Sequence, residues 1–419
     1  MLRLTDEEAR LLDGGAGEAL ALAMRIVSKL AAATGAERLR PISSAHIDGC
    51  LYHGQAGLDF AERLAGLGAT VVVETTLNVS SLDLLHPNLY RGDEASRRAA
   101  ERLMRAYLAM GCQPTWTCAP YHLPRHPVFG EHIAWAESNA IVFANSVLGA
   151  RTDRYGDFID IAAALTGRVP DAGLHLSRNR RGEIVFDVAG LNPDLLRADV
   201  FFPVLGHLMG GEAGSQVPVL VGLPADTTED QLKALGAAAA SSGGVALFHA
   251  VGVTPEAPTL EAAVGDRDGV ARVVVTGDRL RAARDALSTV HGAGRLDAVS
   301  VGTPHFSVEE FRSLTNLLRA WPLDSGVDFY VSTSRQTLRE VRERGWLDLC
   351  ERAGVSVVVD TCTYITPILK PETRVVMTNS AKWAYYAPGN IGVDVVFGSL
   401  DECVRSAAAG AVVRDDALW

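Results

Sequence analysis

Short apolar runs that open into polar loops, each followed by a helix with a clear start signal, recur along this chain. Ala69–Glu74 (ATVVVE) leads into TTLNVSS, Ala140–Ala144 (AIVFA) into Asn145 and Ser146, Val217–Val221 into Gly222, and Gly244–Phe248 into His249. Ala271–Val275, Ala298–Val301, Asp328–Val331, Val355–Val359 and Val375–Met377 continue the series. Capping boxes are read at Thr5–Glu8, Thr228–Gln231, Ser307–Glu310 and Thr333–Gln336, where a hydroxyl and a carboxylate or amide three residues on satisfy the exposed N–H groups of a helix start. Such runs alternating with helices predict βαβ units and parallel sheets, hence an α/β fold. Ligands of such sheets bind beyond the carboxyl ends of the strands. SSAHIDG, TTLNVSS, ESNAIVFANS, GTPH, DTCTY and TNSAK are therefore placed on one candidate rim.

Length and charge narrow the class. The 419 residues, 48% of them hydrophobic, suffice for two or three subdomains within one catalytic region over 1–419. A net charge of −11 argues against a nucleic-acid partner, which needs clustered Lys and Arg. The start, MLRLTDEEARLL, is an acidic helix opening and not a leader; no uncharged apolar run reaches the ~20 residues that span a bilayer. Six cysteines without close paired spacing do not suggest a disulfide framework. A cytoplasmic protein with no membrane contact is expected. Lys29, Lys233, Lys370 and Lys382 are the only lysines, against 35 arginines, so a loop lysine is less ordinary here.

Several clusters carry chemistry. Cys118 (TWTCAPY) and Cys362 (VVVDTCTY) each open a polar loop after an apolar or aromatic run, and Thr303 with His305 (VGTPH) repeats that layout. Thiolates bind iron well, although a lone cysteine is more often a small buried hydrophobe. Cys112, Cys350 and Cys403 are read that way, and Cys50, which borders the polar loop HIDGCLYHG, is only a weak candidate. Ser43, Ser44, His46 and Asp48 put hydroxyls, an imidazole and a carboxylate on one turn, suited to proton transfer; a capped turn is the plainer reading. Glu137, Ser138 and Asn139 before AIVFA, with Asn145 and Ser146 after it, suit a small polar substrate whose carboxylate Arg151 clamps. The plainer alternative is strand-end turns and a surface arginine. Asn78 and Ser80 make a similar loop, where a helix start explains the hydroxyls equally well. Thr378, Asn379, Ser380 and Lys382 suit an anion, with Tyr385 and Tyr386 in a turn over the pocket. The chain carries no GxxxxGK[ST], no strand-following GxGxxG, no HExxH and no GxSxG, which removes the usual support for phosphoryl transfer, nicotinamide chemistry, zincin proteolysis and serine hydrolysis.

Together these motifs resemble the aconitase X family in its large-subunit form, over essentially the whole chain and most specifically in WAESNAIVFANSVLGART. The resemblance implies an aconitase-like catalytic body of several parallel or mixed α/β subdomains around a central cleft, without the swivelling domain. It implies an iron-dependent hydro-lyase, with an iron–sulfur cluster (2Fe-2S) or mononuclear iron on Cys118, Cys362 and the Thr303/His305 loop. Many relatives carry Cys where Thr303 stands, and Thr is a poor iron ligand, so a conventional four-iron cluster on three cysteines is not implied. His46, Asp48 and Lys382 become catalytic candidates. Ser43, Ser44, Asn78, Ser80, Ser138, Asn139, Asn145, Ser146, Arg151, Thr378, Asn379 and Ser380 become substrate-binding candidates. The implied substrate is a small hydroxy acid. Dehydration of cis-3-hydroxy-L-proline is favoured over mevalonate 5-phosphate, because Thr303 resembles the hydroxyproline branch and no Arg/Lys cluster demands a phosphate. A separate small subunit carrying the swivelling domain and a catalytic serine is the implied partner. A metal-free binding subunit and an aldolase with a Schiff base on Lys382 are the rival classes, separable by iron analysis and borohydride trapping.

Overall fold

The computed structural model describes every residue except 1, 268, 293, 324 and 325. It divides into two compact units, Met1–Leu82 with Asp93–Arg181 and Asp83–Gly92 with Gly182–Trp419. Sheets in both are mainly parallel, as the alternation of runs and capped helices predicts.

In the first unit the strands are β1 (Leu39–Pro41), β2 (Ser44–Ile47), β3 (Glu74–Leu77), β4 (Ala134–Trp135) and β5 (Arg168–Pro170). A parallel sheet runs β3-β2-β4, and β1 pairs antiparallel with β5. Two expectations fail here. The strand placed at Ala69–Glu74 lies later, at β3. Val71 and Val72 instead donate their N–H groups to the carbonyls of Met110 and Ala164, outside any ladder, and Val72 is 61% exposed. Thr75 and Thr76 are accommodated in the strand with their hydroxyls paired, Thr75 to Val73 O just before it and Thr76 to His46 on β2. The run AIVFA is not a strand either. It belongs to the helix Ser138–Phe143, which continues as a π-turn over Ala144–Leu148. The Glu137 carboxylate caps that helix by accepting from Ala140 N at 2.8 Å. A five-residue run buried on every side has no period to distinguish strand from helix.

The second unit holds β6 (Ile184–Asp187), β7 (Pro218–Val221), β8 (His249–Ala250) and β9 (Ala271–Val274) in the parallel order β8-β7-β6-β9. Of the expected strand at Gly244–Phe248, only the two residues after it pair. β10 (Ala298–Phe306), β11 (Asp328–Thr333), β12 (Val355–Val359), β13 (Val375–Thr378) and β14 (Asp394–Phe397) form a parallel sheet ordered β12-β11-β10-β13-β14. Its core packs Val299, Phe306, Phe329, Val357 and Met377 with Cys350 and Cys403, so both helical cysteines are packing residues. The capping boxes at Thr5, Thr228 and Ser307 form. The one expected at Thr333 moves on by one residue: Thr333 ends β11, donating to Phe306 O at 2.9 Å, while Ser334 caps the next helix. Tyr385 and Tyr386 lie in the helix Ala381–Ile391 and not in a turn; Ser380 caps its start and Gly392 ends it at φ +68°. Among the described residues no helix is long and apolar enough to cross a membrane.

Candidate active site

In the first unit β2 carries His46 at its centre, fully buried. Thr76 Oγ1 lies 2.8 Å from His46 Nδ1 and also reaches Ala45 O. If the hydroxyl donates to that carbonyl, it accepts from Nδ1–H, which leaves Nε2 as the unprotonated nitrogen. Burial holds the imidazole pKa down to about 3. His46 is thus neutral at any working pH, able to orient or accept but not to store a proton.

Asp48 follows β2 and behaves differently. Burial, then the charges of Glu137 and Asp157, push its carboxyl up to about 7, against a donated hydrogen bond from Asn78 Nδ2. Asp160, which the sequence reading missed, fixes this turn: its Oδ2 accepts from Asp48 N at 2.8 Å and Gly49 N at 3.2 Å. Gly49 cannot be replaced easily, since a Cβ there would sit 2.8 Å from Tyr107 OH. Burial and Asp157 also raise Asp160 to about 7. Native-state carboxyls raised in this way bind protons between pH ~4 and 7 that the unfolded chain releases, so stability declines as pH rises through that window. The melting temperature of Asp160→Asn relative to wild type is expected to rise from pH 5 to 7 and level off above. A difference independent of pH, followed by calorimetry, would contradict the assignment.

Cys118 is buried in the loop before the short turn Pro120–His122. Asn139 holds that loop, donating from Nδ2 to Cys118 O at 2.9 Å and to Glu137, while Oδ1 accepts from Tyr121 OH at 2.6 Å. Asn145 is engaged in the same manner. Its amide brackets Thr152 N and O, and buried Arg180 donates to its Oδ1 and O. Arg151 donates to His175 O and Ser177 Oγ. Ser138 donates to Glu137, Ser80 to Leu82 O and Ser43 to His132 O, while Ser44 lines a small pocket beside Glu74 and Trp135 and Ser146 is buried in the π-turn.

In the second unit Cys362 leaves β12 behind a strained corner. Asp360 is non-glycine yet has φ +63°, and Arg335 grips its carboxylate with two bonds of 2.7 and 2.6 Å while Leu84 N donates to it. Asp83 supports the same corner, accepting from Val359 N at 3.0 Å. The Cys362 carbonyl then accepts from Thr366 N at 3.0 Å, which closes the turn. His305 comes from β10 with one ring nitrogen within 4.8 Å of Cys362 Sγ. His305 Nε2 donates to Thr361 O at 3.2 Å, so Nδ1 is the unprotonated nitrogen; burial lowers its pKa to about 4. A buried thiol beside a neutral imidazole is a donor set that iron accepts. Lys233, Asp230 and Glu310 were not read as site residues from sequence: Glu310 was read only as a helix cap and Lys233 only as one of four lysines. Lys233 is buried between the two carboxylates and reaches His305 O at 3.4 Å. Thr303, Asn379, Ser380 and Lys382 line one pocket with it, and the Thr378 hydroxyl accepts from Ser380 N below.

Family models for the aconitase X first, second and third domains match residues 1–178, 182–285 and 296–409. The chain belongs to the aconitase X family. The second and third domain models follow the four- and five-stranded sheets of the second unit. The resemblance carried by the sequence motifs thus holds along the chain. It is 45% identical over 411 residues to the cis-3-hydroxy-L-proline dehydratase of Pseudomonas aeruginosa and 42% identical over 415 to that of Hypocrea jecorina. These alignments cover 97% and 98% of this chain, and 70% and 69% of the relatives. It is 39% identical to the phosphomevalonate dehydratase large subunit of Methanothermobacter thermautotrophicus, over 95% of this chain and 97% of that one. A crystal structure of aconitase X from Thermococcus kodakaraensis, holo-form, superposes with a TM-score of 0.87 at 34% identity, over 97% of this chain and 100% of that one. The expected mixed α/β aconitase-like body is therefore the fold.

Proposed function

We propose that this chain is the large subunit of a cytoplasmic hydro-lyase that dehydrates cis-3-hydroxy-L-proline to pyrroline-2-carboxylate. The observation that carries the substrate is the 42–45% identity to two dehydratases of that name, against 39% for a phosphomevalonate dehydratase large subunit. Support for a separate small subunit comes from the 97% of that large subunit's length which this chain spans.

Cys118, Cys362 and His305 are the residues we assign to hold iron, as a 2Fe-2S cluster or a single ion, with Thr303 beside them. When bound, iron supplies a Lewis acid for the departing hydroxyl. Asp48, titrating near neutral pH, holds the proton delivered to that hydroxyl as water leaves. Asn78 orients the Asp48 carboxyl, and His46 stays neutral beside it. The proton on the carbon next to the carboxylate goes to a base on the small subunit, and the enamine formed tautomerises to the cyclic imine. Asn139 and Asn145 act as positioning residues for the loops that carry this chemistry. Ser43, Ser44, Asn78, Ser80, Ser138, Ser146, Arg151, Thr378, Asn379 and Ser380 remain the candidates for substrate contact.

The test is an assay for loss of cis-3-hydroxy-L-proline, run on the chain alone and after co-expression with a small subunit. Turnover is expected only in the second case. Full turnover by the chain alone rules out the two-subunit arrangement, and dehydration of mevalonate 5-phosphate in place of hydroxyproline rules out the substrate.

A further inference from the structure

Residues Asp83–Gly92 belong to the second unit, although first-unit residues flank them on both sides in sequence. This excursion closes on the Cys362 loop at two points. Before the cysteine, Asp83 Oδ2 accepts from Val359 N at 3.0 Å and Leu84 N donates to Asp360 Oδ2 at 3.3 Å. After it, Arg91 N donates to Pro367 O at 2.7 Å and Arg91 Nε to Ile368 O at 3.0 Å. The turn that carries Cys362, closed by Ile365 N and Thr366 N on Cys362 O, lies between the two grips.

Asp83 is the pivot. Its Oδ1 accepts from Leu85 N at 2.9 Å and His86 N at 2.8 Å, which bends the segment, and Oδ2 serves both Val359 N and His86 Nδ1, the latter at 2.9 Å. A buried carboxylate is tolerated only when donors meet it, and here both oxygens are met. At the other end a Cβ on Gly92 would lie 2.8 Å from Pro367 Cγ, so the chain passes directly against the loop. Asp360, at φ +63°, keeps a backbone that a non-glycine residue holds only where its surroundings over-determine it. Arg335 grips the Asp360 side chain, whereas the 83–92 segment holds the backbone on both sides of the cysteine.

We propose that residues 83–92 clamp the Cys362 loop from both ends, and that Asp83 and Arg91 are positioning residues which hold the Cys362 thiol where iron binds. The inference rests on reading Cys362 as an iron ligand.

The test uses the anaerobically purified large–small complex. Asp83→Ala opens the first grip. Arg91→Ala trims an exposed side chain and opens part of the second, so it decides the matter if Asp83→Ala does not fold. Arg91→Lys keeps a donor for Ile368 O. Peptide mass spectrometry reads the rate at which iodoacetamide alkylates each cysteine after iron is stripped, and titration with ferrous ion reads iron affinity. Asp83→Ala is expected to speed alkylation of Cys362 and to weaken iron binding by about tenfold each, the lower end of what outer partners of metal ligands contribute. Arg91→Ala moves both in the same direction, Arg91→Lys matches wild type, and the buried Cys350 and Cys403 keep their wild-type rates. A Cys362 rate and an iron affinity unchanged in both alanine variants overturn the proposal, while loss of iron from Cys362→Ser in the same preparation leaves the iron reading standing. Alkylation of Cys350 and Cys403 that rises in step with Cys362 marks general loosening and also overturns it. Faster alkylation of Cys362 alone, with iron affinity unchanged in these variants and in Cys362→Ser, overturns the iron reading and the positioning role with it.

Discussion

Cys362→Ser is expected to lower iron affinity by well over ~100-fold, because even outer partners of metal ligands are worth 10–100-fold. Dehydration falls with it. Serine keeps the size of the side chain, and the turn stays closed, since its supports are the Cys362 carbonyl, Arg335 on Asp360 and Asp83 on Val359 N. The loss is therefore one of donor chemistry, a soft thiolate exchanged for a hydroxyl, and not of fold. Cys118→Ser should behave alike, because its loop is held by Asn139 at the backbone carbonyl. Cys350→Ser supplies the contrast: this thiol lies in the sheet's apolar core, so the variant should lose stability and keep its iron. Iron retained by Cys362→Ser at the wild-type level, measured colorimetrically after anaerobic purification, removes Cys362 from the metal.

Asp48→Asn carries the second large effect. Positioned acids and bases contribute about 10²–10⁴-fold, and kcat should fall within that range. The sign of the pH dependence follows from the raised carboxyl. Held at about 7 by burial and by Glu137 and Asp157, Asp48 is protonated below neutrality and ionised above it. A step that needs the proton therefore slows as pH rises through 7. The wild-type kcat profile should bend down on its alkaline side near that value, and Asp48→Asn should lack the bend. The hydrogen bond from Asn78 gives a further check, since Asn78→Ala removes the one neighbour that favours the ionised form and should move the bend upward. An unchanged alkaline limb in Asp48→Asn would assign it to another group.

The parts of the fold that were legible had a pattern with a physical cause. β12 fell on the expected residues because five β-branched or small residues are bounded by a glycine turn and a polar exit. Capping boxes were legible because hydroxyl and carboxylate three apart do one job at a helix start. The strand β3 was misplaced because three consecutive valines outweigh two threonines in any reading of propensity, yet the threonine hydroxyls are paired and Val71 and Val72 bond the carbonyls of Met110 and Ala164. AIVFA was misread because complete burial erases periodicity. At the site, residue types were legible and their duties were not. Asn139 and Asn145 have the chemistry of substrate ligands, but their amides are taken up by Cys118 O, Tyr121, Thr152 and Arg180, partners remote in sequence. Asp160 escaped notice because an aspartate opening an ordinary helix looks like a dipole partner, and its grip on the Asp48 turn is a tertiary fact.

Iron and acid-labile sulfide per chain, quantified in the anaerobically purified complex that turns over cis-3-hydroxy-L-proline, bear most directly on the whole account. Stoichiometric iron that disappears from Cys118→Ser and Cys362→Ser alike is the predicted outcome. A preparation that dehydrates the substrate at full rate while containing no iron would contradict it.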